Sequence, residues 1–99
     1  MLLPRFTEAD DDPVKAARTF VDAVNVSDLD ALRQVTCERD RANASSLFLT
    51  GGFRLTLERV NETEPMSLTV LATDTRSGST ERVSYPLVQE SGEWLVCSA

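Results

Sequence analysis

Two cysteines offer the chain its most reactive side chains: Cys37 in QVTCERD and Cys97 in EWLVCS. A pair of thiols can close a disulfide, cycle electrons as a dithiol, ligate a metal or fill a core as small apolar groups. Their wide separation excludes a Cys-x-x-Cys redox motif. No histidine occurs in the 99 residues. That removes the commonest general base, the usual metal ligand and every triad built on imidazole, and it leaves a structural zinc site short of ligands. The pair therefore reads as a disulfide, with two independent buried thiols as the alternative. A bridge closing about sixty residues contributes up to roughly 4 kcal/mol on the chain-entropy account. Such bonds persist in oxidising compartments, so the expected placement is extracytoplasmic.

Other polar signals are weaker. Glu8, Asp10, Asp11 and Asp12 crowd ahead of the first helix. They lack the spaced ligands and turn glycine of a calcium loop, so residues 1–12 are expected to form a flexible acidic leader. Neither a metal nor a cofactor is expected anywhere in the chain. Each asparagine, Asn25, Asn43 and Asn61, heads an Asn-x-Ser/Thr triplet. These are glycan acceptors in a eukaryotic secreted protein, although asparagine also suits turns for backbone reasons. Ten basic against sixteen acidic residues give a net charge of −6. That disfavours nucleic acid and anionic lipid as partners, since both need a basic surface. No apolar run approaches the length of a membrane helix, and MLLPRF is too short for a signal peptide. The chain is expected to be soluble, with any anchor outside it.

The elements that must position these groups follow from length and periodicity. A chain of 99 residues makes one domain with one modest core, expected over residues 13–99. In DDPVKAARTFVDAVNVSD, Asp12 can cap a helix and Pro13 suits its first position. Ala17, Phe20, Val21 and Val24 fall on one stripe. Ser27 reads as the cap of a second helix with Leu29, Leu32 and Val35 inward, and Cys37 returns to nearly that face. A short third helix is expected to end near Ser46, before Gly51 and Gly52. From there the period becomes two. FRLTLERV, MSLTVLATD, TERVSYPLVQE and WLVCS read as four strands of an antiparallel meander, which gives an α+β fold. Packing the second helix on the sheet would bring Cys37 to Cys97 in the closing strand. Pro86 within the third strand predicts a bulge and a bend. Leu71, Val88 and the run Trp94–Cys97 break the alternation, which implies either a sheet covered on both faces, a second copy being one candidate cover, or simply scattered exposed apolar residues.

Two phrases carry a family likeness. ARTFVDAVNVSDLDALRQVTC and YPLVQESGEWLVCS resemble the opening and closing of small nuclear-transport-factor-2-like domains of actinobacterial membrane proteins and lipoproteins. In the second phrase Tyr85, Leu87, Val88, Glu90, Gly92, Trp94, Val96 and Cys97 match, and the likeness spans roughly residues 13–98. It implies a cone-like fold with helices in the concave face of a bent four-stranded sheet. It also implies a Cys37–Cys97 bridge, an extracytoplasmic setting and homodimers formed through the outer sheet face. The chain departs from the family in being short between helices and sheet, which counts against a full-sized pocket. The leading expectation is a non-catalytic binding or interaction module of the bacterial envelope, its partner an envelope protein or a small apolar ligand. The alternative is a small-molecule carrier whose pocket is lined by Phe20, Tyr85 and Trp94. A third reading, by likeness to ketosteroid isomerases and polyketide cyclases, makes Tyr85 an enolate-stabilising donor and Asp22 or Asp30 the base.

Overall fold

A computed structural model describes residues 12–98. The acidic leader anticipated over residues 1–12 thus lies, apart from Asp12, outside the described residues. Four helices precede four strands: α1 Pro13–Val26, α2 Leu29–Gln34, α3 Glu38–Arg41, α4 Ala44–Phe48, β1 Phe53–Asn61, β2 Ser67–Asp74, β3 Thr80–Glu90 and β4 Glu93–Val96. The strands form one antiparallel sheet in the order β1-β2-β3-β4, curled around α1. The protein is α+β, as the change of period implied.

Helix α1 starts where the sequence places it. Asp12 accepts from the Val14 amide at 2.9 Å and Pro13 occupies the first turn. The stripe Ala17, Phe20 and Val21 is buried. The helix stops at Ser27, whose left-handed backbone (φ 57°) turns its amide back onto the Ala23 and Val24 carbonyls. Ser27 is therefore the end of α1, and the cap of α2 is Asp28, which accepts from the Ala31 amide at 3.1 Å. A left-handed serine cannot also hold the extended conformation that a cap requires.

Two further expectations are corrected. Helix α2 ends at Gln34, so Cys37 is not on its inner face. Residues 35–37 instead run alongside β4: the Val96 amide donates to the Val35 carbonyl at 2.7 Å, and the Cys37 amide to the Val96 carbonyl at 2.9 Å. The last strand gains a partner on its open edge. The single third helix is also two, α3 and α4, broken at residues 42–43.

Pro86 makes no bulge. It stands where β3 changes partner: residues 80–86 pair with β2 and residues 87–90 with β4. Its carbonyl accepts from the Cys97 amide at 3.0 Å, just past the end of β4. The missing amide falls at the hand-over, where a ladder bond is least needed. The bulge lies instead in β1, where the register with β2 slips between Leu57 and Arg59. A bulge bends and twists its strand, which suits a sheet that wraps a helix.

The concave face carries Leu55, Leu68, Val70, Ala72, Leu87 and Val96 against Phe20, Val21, Leu32 and Phe48. Phe20, Leu32, Leu68 and Val70 are fully buried, and each such side chain is worth about 1.5–3 kcal/mol of transfer free energy. The other face differs along its length. Over β4 it is covered by the disulfide, which packs with Leu95 and Val88 in a small separate cluster. Elsewhere it is mostly polar: Thr69 bonds Ser84 at 3.0 Å, Thr73 bonds Thr80 at 3.1 Å, and half-buried Leu71 lies between them opposite Arg82. The apolar residues that broke the alternation near the C-terminus are thus covered from within the chain.

Candidate functional site

The two ends of the curled sheet differ. Here β4, the 35–37 segment and the disulfide close one end. The opposite end is bounded by the carbonyl terminus of α1, by α4 with its following loop, and by the adjoining parts of β1, β2 and β3. Between them lies a cleft of about 420 Å³ lined by Phe20, Phe48, Leu55, Val83 and Tyr85, with residues 47–53 forming one wall. Small-molecule sites are likewise concave, combining apolar walls with a few placed polar groups.

Three rings build its floor. Phe20 meets Phe48 edge-on with centroids 5.0 Å apart, and Tyr85 meets Phe20 at 5.4 Å and Phe48 at 5.6 Å. Edge-to-face contacts of this kind fix ring orientation beyond simple burial. Each ring comes from a different element: Phe20 from the inward stripe of α1, Phe48 from the last turn of α4, Tyr85 from the concave side of β3. Leu47 and Phe53 stand at the rim, 40% and 50% exposed. They carry the apolar part of the lining out to the solvent.

Polar and apolar surface share the cleft almost equally, the polar part coming from Asn25, Ser27, Thr50, Glu81, Tyr85 and backbone of the 49–52 loop. No described residue hydrogen-bonds the Tyr85 hydroxyl, and burial pushes its pKa above the ordinary phenol value. Asn25 also borders the cleft, but its side chain is committed. Its amide nitrogen donates to the Leu55 carbonyl at 2.9 Å, and its oxygen accepts from the Leu55 amide at 2.8 Å. Glu81, exposed at the mouth, is the one charged residue of the lining among the described residues.

The sequence-derived site residues are thus only partly brought together. Phe20 and Tyr85 share the cleft, while Trp94 does not. Trp94 sits on β4 opposite Gln89 and packs, half-buried, on the core at the closed end. Neither Asp22 nor Asp30 lines the cleft. Asp22 is exposed on the outer side of α1, beside Arg18 and Arg54 in a shallow groove along the β1 edge. Asp30 is exposed in the first turn of α2. The acid–base pairing with Tyr85 is therefore not assembled from those residues. Phe48 and Glu81 were not anticipated. Glu81 was readable, because it shares the concave parity of β3 with Val83, Tyr85 and Leu87.

Cys37 and Cys97 are joined as a disulfide, with Cα atoms 5.3 Å apart. Both are buried, at 0% and 5% exposure. Asp40 completes the neighbourhood. Its Oδ2 accepts from the Ser98 amide at 2.8 Å and the Ser98 hydroxyl at 3.1 Å, and it pairs with Arg39 at 3.1 Å. The Arg39 side chain, then the Ser98 amide, hold the Asp40 carboxyl below the usual range. Cys37, Asp40 and Cys97 have the spacing of a metal-ligand set, but bonded sulfurs offer no thiolate to an ion. A buried disulfide of this kind points to an oxidising, extracytoplasmic environment. No helix among the described residues is long and apolar enough to cross a membrane.

Comparison with protein-family models and with curated proteins found no match to this chain.

Proposed function

We propose that the protein is a non-catalytic binding module of the nuclear-transport-factor-2-like kind, working outside the cytoplasm and holding a small apolar molecule in its open cleft. The observation that carries this reading is the cleft itself. A volume of about 420 Å³ lies within the usual range for small-ligand sites, about 300–1,000 Å³. It is floored by interlocked rings and rimmed by exposed Leu47 and Phe53. A pure docking module would gain nothing from keeping such a hollow unfilled, since an unfilled space forfeits packing. The reading of a carrier is preferred to that of an enzyme because Asp22 and Asp30, the bases the sequence suggested, stand exposed outside the cleft, and Glu81, the carboxylate the cleft does hold, is exposed to solvent at its mouth. The bridge, the closing phrase of the sequence and the curled sheet around α1 support the family and the compartment.

Titration with a neutral aromatic probe such as naphthalene, followed by NMR, tests the proposal. Saturable shifts are expected at Val83, Phe48 and Tyr85, with little change at Trp94. Val83→Phe, which fills the cleft from its β3 wall, should abolish them while leaving the fold intact. Shifts that do not saturate, or that persist unchanged in V83F, would overturn the proposal.

A further inference from the structure

Resting on the reading that the cleft binds an apolar molecule, we infer that its ligand is an apolar amine, bound as the cation, and that Glu81 selects it. The charge balance of the cleft favours a cation. Among the described residues the lining contains no lysine and no arginine, and its single charged side chain is Glu81. That carboxylate has no ion-pair partner among the described residues. The next residue, Arg82, points to the other face of the sheet, where it pairs with Glu58 at 2.7 Å. Glu81 lies on the concave side opposite Ala72, itself part of the lining.

A second feature has the same sign. Helix α1 directs its carbonyl end at the cleft through Val24, Asn25 and Ser27, and its last turn carries no basic residue. The negative end of a helix dipole favours cations. An anionic head, such as a carboxylate, would meet both with the wrong sign. It would also approach a chain of net charge −6. The Tyr85 hydroxyl, without a described partner, supplies the polar contact that orients the ligand within the apolar space.

A matched series separates charge from shape: 2-naphthylmethylamine, 2-naphthylmethanol and 2-naphthoate, titrated calorimetrically into the whole chain at neutral pH. The amine is expected to bind about tenfold more tightly than the carboxylate, with the alcohol between them. Glu81→Gln, an exposed and near-isosteric change, should cut the affinity for the amine several-fold while leaving that for the alcohol unchanged. Added salt should weaken the amine and spare the alcohol. Equal or tighter binding of the carboxylate, or an amine preference untouched by E81Q, would overturn the inference while leaving the binding role standing. Failure of all three to bind would overturn both.

Discussion

Removing the Cys37–Cys97 bridge is the most informative single perturbation, because its expected size follows from the topology. The bond joins positions 60 apart. Cross-linking a loop of that length lowers the entropy of the unfolded chain enough to stabilise the native state by about 4 kcal/mol at room temperature. Native stability for a domain is about 5–15 kcal/mol in all. The double variant Cys37→Ala/Cys97→Ala also loses sulfur packing on Leu95, since both cysteines are buried. Alanine is the better replacement, as serine would bury hydroxyls with no assured partner. Unfolding in urea should give a curve shifted to lower denaturant, with a loss of about 3–5 kcal/mol. For a domain of this size the melting temperature should fall by roughly 15–25 °C. Thiol titration of the denatured, unreduced protein should find no free sulfhydryl. A stability difference under about 1 kcal/mol would refute the argument that this loop closure matters. Two titratable thiols would refute the bond and, with it, the placement in an oxidising compartment.

Tyr85 is the sole tyrosine, so its phenolate absorbance can be followed without interference. Burial raises its pKa in the folded state. The neutral phenol is thus favoured by folding: its contribution is fully present below the unfolded value near 10 and is lost as pH rises through the folded one. Titration should show a folded midpoint above that of the unfolded chain, displaced further upward by a bound apolar ligand. A midpoint at or below the unfolded value would contradict the burial. Asp40 behaves oppositely, because Arg39 and Ser98 lower its pKa. Its contribution is present above the unfolded value near 4 and lost as pH falls through the folded one. Asp40→Asn should therefore destabilise at neutral pH by about 1–3 kcal/mol through loss of charged hydrogen bonds, with the gap from wild type narrowing in acid. An undiminished gap at low pH would show that charge is not involved.

Much of the fold was legible locally. The α1 cap and stripe were visible, because 3.6-residue periodicity and Asp-Pro chemistry are written in adjacent residues. Strand β3 was delimited as Thr80–Glu90, and the other strands to within a residue or two, by alternation between turn residues. What failed was non-local. Nothing near Cys37 says that residues 35–37 leave the helix to pair with β4, sixty positions away. Periodicity extended the helix instead and put the bridge on the wrong side of the sheet. Trp94 was assigned to the pocket because large aromatics line cavities, but its depth along the sheet depends on which end the helices close. Phe48 went unnoticed since a five-residue helix carries too little periodicity to reveal its inward side.

The two hydrogen bonds between Asn25 and Leu55 have a consequence for how this protein can be made. The side-chain nitrogen that a glycosyltransferase would modify is the one donating to the β1 backbone. Asn61 is similarly engaged, donating to Ser67 at 2.9 Å. A sugar attached during synthesis in a eukaryotic secretory host would have to be accommodated where α1 meets the free edge of β1, uncoupling helix from strand beside the cleft. Of the chain's acceptor triplets, only Asn43, exposed and making no cap bond with its side chain, is compatible with a glycan on the native structure.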